Sequence, residues 1–204
     1  MKLSLLALFA VVPVGAFVVK YNTPLMAVSS VGLRAVKIYY DSSTGNTETC
    51  AGYISQAVGD GDAELINDAS NDDINGADGL IVGAPTWHTG SDTERSGTSW
   101  DKWLYDTLPS LDLKDKKVAI FGCGDQESYS DYYCDAAGEL FDCFSKAGAK
   151  VYGMTSTEGY HHQASKAEVD GKFVGLMFDE DNQYDVSEDR AKNWISQLKD
   201  EGFF

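Results

Sequence analysis

Residues 36–47, Val36-Lys37-Ile38-Tyr39-Tyr40-Asp41-Ser42-Ser43-Thr44-Gly45-Asn46-Thr47, decide the fold class. Five residues dominated by β-branched and aromatic side chains read as a strand, a hydroxyl-rich turn with one glycine follows, and 47–58 carries helical periodicity. A strand that runs through a short loop into a helix is the first half of a strand–helix–strand unit, whose strands pair in parallel.

The same alternation continues outward. Residues 63–66, 79–83, 117–122 and 150–154 read as strands, the second apolar throughout and the third apolar after Lys117. Residues 100–108, 131–146 and 187–199 read as helices, the last opened by a Ser187 cap before an acidic turn. The expectation is one α/β domain over 35–204: a five-stranded parallel sheet with helices on both faces, a three-layer sandwich. Residues 155–185 break the pattern, and a structureless loop of that length inside a compact domain is unusual. The segment reads as an insertion that splits the last strand, with 173–178 resuming it.

The chain has 204 residues, 43% of them hydrophobic, and 32 acidic against 16 basic side chains, for a net charge of −16. This suits a single globular domain and excludes a disordered acidic tail. It also argues against nucleic acid, which is bound by cationic surfaces that displace counterions; basic proteins and small ligands fit better. All the acids lie from Asp41 onward. Ahead of them, Lys2 and the apolar run 3–12 followed by Pro13-Val14-Gly15-Ala16 read as a signal peptide cut after Ala16, too short for a membrane span. Residues 17–34 have Lys20, Arg34, several hydroxyls and no acid, a transit-peptide composition. Phe17 just behind the cut resembles the bipartite leader of algae with complex plastids. The expected destination is the plastid stroma, with a mature chain that does not insert in a membrane. Cys50, Cys123, Cys134 and Cys143 lack metal-ligand spacing, and with three histidines no metal centre is expected. The spacings leave open whether these thiols pair; a stroma would keep them reduced.

In an open parallel sheet, ligands sit beyond the C-terminal strand ends. Three loops there are unusual. Ser42-Ser43-Thr44-Gly45-Asn46-Thr47 offers hydroxyls and a helix N-terminus without lysine or arginine, which reads either as a cradle for a terminal monophosphate or as an ordinary helix cap. Neither a GxxxxGK[ST] nor a GxGxxG pattern is present. Gly83-Ala84-Pro85-Thr86-Trp87-His88-Thr89-Gly90 brings a tryptophan to this edge, and Gly122-Cys123-Gly124-Asp125-Gln126-Glu127-Ser128-Tyr129-Ser130-Asp131 a tyrosine among carboxylates. Each ring alone could be a packed aromatic; together they could clamp a flat ring system.

Taken together, Ser-x-Thr-Gly-Asn-Thr, Pro-Thr-Trp, Gly-x-Gly-Asp-Gln with Tyr-x-Asp, and Gly-Lys-Phe-Val-Gly-Leu with Asp-Glu-Asp-Asn-Gln resemble the long-chain flavodoxins from about Val36 to Phe204. The resemblance implies non-covalent FMN, with Ser42, Ser43, Thr44, Gly45, Asn46 and Thr47 around its phosphate and Trp87 and Tyr129 on its two ring faces. Thr86, Gly124, Asp125 and Asp131 would follow the ribityl chain and ring edge, with His88, Thr89, Gly90, Cys123 and Gln126 completing the loops. It implies a monomeric one-electron carrier that takes electrons from photosystem I to ferredoxin:NADP reductase in place of ferredoxin, under iron limitation, and docks on basic-faced redox proteins. It also implies that the His88–Thr89 peptide turns its carbonyl toward flavin N5 on one-electron reduction. Neither residue has the freedom of glycine, so a smaller stabilisation of that state is expected. The Ser91–Ser99 loop is longer than the family pattern.

Two physical effects would make such a carrier a strong reductant. Stacked rings remove water and disfavour charge on the reduced cofactor. A carboxylate about 10 Å away at an effective dielectric of roughly 40 contributes about 0.8 kcal/mol, or about 35 mV for one electron. Three rivals are weaker. An FMN-dependent quinone reductase of the same fold needs an open ring face. A phospho-receiver needs an aspartate where Gly83-Ala84-Pro85 stands, and a cysteine phosphatase needs basic residues around Cys123. Adjacent His161 and His162 point to opposite sides of an extended segment and read as surface residues of the insertion.

Overall fold

The computed structural model describes residues 36–59 and 61–204; the expected leader segments lie outside the described residues. The chain runs β1 (Val36–Tyr40), α1 (Asn46–Val58), β2 (Ala63–Leu65), α2 (Asn71–Gly76), β3 (Gly79–Pro85), α3 (Ser99–Lys102), β4 (Lys117–Cys123), α4 (Asp135–Lys146), β5 (Lys150–Tyr152), β6 (Thr155–Ser156), β7 (Glu168–Val169), β8 (Lys172–Phe173), β9 (Leu176–Phe178) and α5 (Tyr184–Asp200). The main sheet has the order β2-β1-β3-β4-β5, and β9 pairs with β4 beyond β5. Every pairing in it is parallel, with Ile38 opposite Ile81 and Ile81 opposite Ala119.

Side-chain alternation along the central strands builds two cores. Leu80, Val82, Val118 and Ile120 face one side, where Trp100, Leu104, Leu140 and Phe144 cover them. Ile38, Ile81, Ala119 and Phe121 face the other, under Cys50, Ile54, Trp194 and Leu198 of α1 and α5. The three-layer sandwich expected from the sequence is therefore the observed architecture.

Several local expectations are corrected. Helix α5 starts at Tyr184 with no side-chain cap, and Ser187 is buried within its first turn with its hydroxyl donating to the Gln183 carbonyl at 3.4 Å. The expected helix over 131–146 begins only at Asp135, because Cys134 takes a left-handed conformation (φ 55°) after a 3₁₀ turn over Ser130–Tyr132. Residues 100–108 are a short α turn, a π-helical stretch Trp103–Thr107 and a 3₁₀ turn Leu108–Ser110. Helix α2 was not expected, since only Ile74 of it is buried; a Ser70 cap that accepts from the Asp73 N–H at 3.1 Å opens it.

The inserted segment forms a small antiparallel sheet, β6-β8-β7. The last strand resumes over Leu176–Phe178 and not from Phe173, because Lys172 and Phe173 are taken by antiparallel partners. His162, expected at the surface, has a side chain only 6% exposed. It lies against the rings of Tyr133 and Phe173 at 5.4 and 5.0 Å, and its Nε2 pairs with Glu168 at 3.1 Å. The four cysteines are free, and burial pushes the thiols of Cys50, Cys134 and Cys143 up. Among the described residues no cluster suits a metal ion, and no helix is long and apolar enough to cross a membrane.

Candidate functional site

Loops after β1, β3 and β4, joined by the segment after β9, meet at the C-terminal edge of the sheet. They enclose a cleft of about 440 Å³ lined by Thr44, Asn46, Thr47, Pro85, Thr86, Trp87, Thr89, Cys123, Gly124, Asp125, Tyr129 and Asp181.

The floor at one end is the start of α1. Gly45 caps this helix in a left-handed conformation (φ 99°) and donates its N–H to Ser42 Oγ at 3.0 Å, which folds the turn back on itself. The first helical N–H groups, at Asn46, Thr47 and Glu48, precede any intrahelical acceptor and aim positive partial charge outward. Thr47 is 1% exposed and its Oγ1 has no hydrogen-bond partner. Asp41 faces away from the cradle: its two oxygens accept from the Ser42 and Ser99 N–H groups at 2.7 and 2.8 Å.

The other end is flanked by rings. Trp87 and Tyr129 are 50% and 53% exposed, and among the exposed large aromatics, which include Tyr105, Tyr132 and Tyr184, they are the two that line this cleft. The backbone carrying Trp87 is fixed: the Thr86 N–H donates to the Cys123 carbonyl, and both the Trp87 and His88 N–H groups donate to the Arg95 carbonyl at 3.1 Å. The Thr86 hydroxyl accepts from the Ala136 N–H at 3.0 Å, tying the loop to α4. His88 donates from Nδ1 to the Glu94 carbonyl at 2.6 Å. A turn closed by the Ser91 N–H on the His88 carbonyl follows. Its left-handed position belongs to Gly90 (φ 77°), one residue beyond the His88–Thr89 pair to which the sequence reading assigned the strain.

Carboxylates stand along the third side. Partial burial would raise the Asp125 carboxyl, but hydrogen bonds from Ser128, Asn182 and Glu127 outweigh it and bring it below the ordinary range. Asp181 is held above that range by partial burial and by the neighbouring charges of Asp125 and Asp179. Glu180, between them in sequence, is raised by burial, and one of its oxygens is buried without a partner.

Not every expected residue reaches the cleft wall. Ser42, Ser43, Gly45, His88 and Gly90 lie outside the lining; Ser42 with Gly45 and His88 with Gly90 belong to the two turns described above, and Ser43 is exposed. Asp131 sits exposed on the 3₁₀ turn outside the lining, where the ring-edge role expected of it has no support. Gln126 is 2% exposed and turned away, donating to Asp179 at 2.8 Å and accepting from the His161 N–H at 2.6 Å, so it ties the insertion to this loop. Pro85 and Asp181 line the cleft without having been expected; the acidic run after the last strand sits at the same sheet edge and carried the signal for Asp181. A second hollow of about 540 Å³, lined by Leu104, Tyr105, Leu108, Leu111 and Cys143 among others, lies against the helical layer, and Thr93 of the loop after β3 reaches it.

A doubly wound parallel sheet with a cation-free helix N-terminus and two rim aromatics at one edge defines the open-sheet α/β class that takes a flat ring with an anionic tail. A family model described as Flavodoxin matches residues 38–194. A flavodoxin of Haemophilus influenzae is 43% identical over 172 residues, covering 83% of this chain and 96% of that protein. One of Synechococcus elongatus is 41% identical over 172 residues, covering 83% and 98%. A crystal structure of Fusobacterium nucleatum flavodoxin bound to flavin mononucleotide superposes with a TM-score of 0.74 at 29% identity, covering 82% of this chain and 98% of that one. The chain belongs to the flavodoxin family. Flavodoxins are electron-transfer proteins and not enzymes.

Proposed function

We propose that the chain is a low-potential one-electron carrier that binds FMN non-covalently, taking electrons from photosystem I to ferredoxin:NADP reductase in place of ferredoxin when iron is scarce. The donor set fits the cofactor. Thr47 Oγ1, buried and unpartnered, and the free N–H groups of the first turn of α1 supply neutral donors for a terminal phosphate. Thr44 and Asn46 line the same end, with Ser42 and Gly45 setting the turn and Ser43 exposed within it. Trp87 and Tyr129 are placed to cover the two faces of the ring, with Thr86, Thr89, Cys123, Gly124 and Asp125 between them.

FMN supplies the one-electron redox chemistry when bound. The protein's part is electrostatic and steric. The two rings exclude water, while Asp125 and Asp181 and the absence of lysine or arginine from the phosphate turn disfavour extra negative charge in the cleft. The observation that carries the reading is the pair of half-exposed rings at the rim of the cleft, which would cover ring faces and leave an edge for partners. A net charge of −16 favours salt-sensitive encounter with basic faces. Composition of residues 1–34 supports delivery to a plastid stroma by a signal peptide (1–16) followed by a transit segment (17–34), with 35–204 as the working, monomeric domain.

The test is the absorption spectrum of the purified protein, with FMN added if needed, during stepwise dithionite reduction. Flavin bands and two separable one-electron steps, with a long-wavelength band rising and falling between them, are expected. A single two-electron step would favour the quinone reductase alternative, and failure to take up FMN would overturn both.

A further inference from the structure

The loop that carries Trp87 and His88 has no regular structure of its own, and its anchor lies on a different layer. Glu139, in the second turn of α4, is only 3% exposed and makes no ion pair among the described residues. Its Oε1 accepts from the Glu94 N–H at 2.7 Å and from the Tyr105 hydroxyl at 2.5 Å, and its Oε2 from the Arg95 N–H at 2.8 Å. The residues it grips through their N–H groups are the two whose carbonyls hold the stacking segment. Arg95 accepts from Trp87 and His88, and Glu94 accepts from the His88 ring. A buried carboxylate without a countercharge is costly unless its oxygens are satisfied, and charge-assisted bonds to consecutive backbone N–H groups are short and directional. Asp101 grips the next two N–H groups of the loop, Ser96 and Gly97, in the same bidentate way at 3.0 and 2.9 Å, but it is Glu139 that holds the pair whose carbonyls carry Trp87 and His88.

We propose that Glu139 is a positioning residue for the flavin ring site: it fixes the Glu94–Arg95 peptide, which in turn sets the placement of Trp87 and of the His88–Thr89 peptide. Through that placement it determines how tightly the ring is held and how the two one-electron steps are balanced. The inference rests on the FMN reading. Tyr105 assists by occupying Oε1 from the π-helical stretch and so orienting the carboxylate.

The experiment compares Glu139→Gln, Tyr105→Phe and Trp87→Ala, alone and combined, in the FMN-loaded protein. The glutamine amide must turn its NH₂ toward a backbone N–H, so one of the two grips is lost. Glu139→Gln is expected to weaken both FMN and riboflavin binding at least tenfold with the ratio between them unchanged, because the phosphate turn is untouched. It should also shift the equilibrium constant of at least one one-electron step threefold or more, which is about 28 mV at 59 mV per tenfold. Tyr105→Phe should give a smaller change in the same direction. In a Trp87→Ala background, Glu139→Gln should add little to the loss of ring affinity. Unchanged affinity and unchanged equilibria in folded Glu139→Gln protein would overturn the proposal, as would a full effect persisting without Trp87. Should Glu139→Gln not fold, Tyr105→Phe decides: a measurable fall in FMN and riboflavin affinity with their ratio unchanged supports the proposal, and unchanged affinity and equilibria overturn it. If the unsubstituted protein takes up no flavin, the cofactor reading itself falls, an outcome distinct from a silent variant.

Discussion

Gly97 stands so close to Trp87 that a Cβ on it would lie 2.7 Å from the tryptophan Cβ, and its backbone is left-handed at φ 66°. Both facts demand glycine. Gly97→Ala should therefore push Trp87 off its place at the rim while also straining the turn, at a cost of about 1–2 kcal/mol for the backbone alone. The expected outcome is FMN affinity reduced by roughly tenfold in a fluorescence titration, with a modest fall in melting temperature.

The two rings carry separable shares of ring affinity. Replacing Trp87 or Tyr129 by alanine should cost about 1–3 kcal/mol each, the size of a ring–base stacking contact, read as a ten- to hundredfold rise in the FMN dissociation constant. Because both side chains are half exposed, neither change should alter the stability of the cofactor-free protein by more than about 0.5 kcal/mol.

Thr47 offers a test in which binding and stability move in opposite directions. Its hydroxyl is buried and without a partner in the cofactor-free protein, so Thr47→Val removes an unsatisfied group and should leave that form as stable or more stable. Loss of a hydrogen bond to a charged phosphate should weaken FMN by about 1.5–3 kcal/mol and leave riboflavin binding unaffected. Calorimetric melting beside both titrations checks the sign of each.

Asp125 and Asp181 line the cleft and set its field. Asp125→Asn should raise the lower midpoint potential by about 35 mV at low salt, the effect of one carboxylate about 10 Å away at an effective dielectric near 40. The shift should shrink as ionic strength rises, which a redox titration at two salt concentrations will show.

Glu180 governs a pH dependence. Burial raises its folded-state pKa above the unfolded value, with the charges of Asp179 and Asp181 adding to this against a hydrogen bond from Ser187. A group raised on folding contributes stability fully below its unfolded pKa and loses it as pH rises through the folded one. Cofactor-free protein should thus gain from this group as pH falls from 7 into the carboxylate range. Glu180→Gln should melt higher than the parent at pH 7 and no higher at pH 4.

The parallel sheet was legible because its central strands are apolar on both faces and separated by amphipathic helices: 36–40, 79–83 and 117–122 all lie inside observed strands. What was not legible depended on tertiary partners. Ser187 has the chemistry of a cap, but packing of Trp194, Ile195 and Leu198 against the sheet lets α5 begin earlier. Phe173 is as apolar as Phe178, yet the first joins the core of the insertion with Tyr160 and the second pairs with β4. In the cleft, loop motifs pointed to Trp87, Tyr129 and the α1 turn. Gln126 and Asp131 were assigned to it through the motifs of the family resemblance, and only the folded backbone turns Gln126 inward to Asp179 and sets Asp131 on an outer turn. Glu139 carried no signal, since its bonds are to backbone groups some 45 residues away in sequence.

The rim position of Trp87 and Tyr129 has a kinetic corollary. Among the described residues the cleft is lined at its margin by side chains of the strand-end loops, so a visiting protein meets the cofactor edge at the rim. Throughput should then be governed by how often partners collide in the right orientation, and viscosity and added salt should slow turnover far more than any change that stiffens the loops.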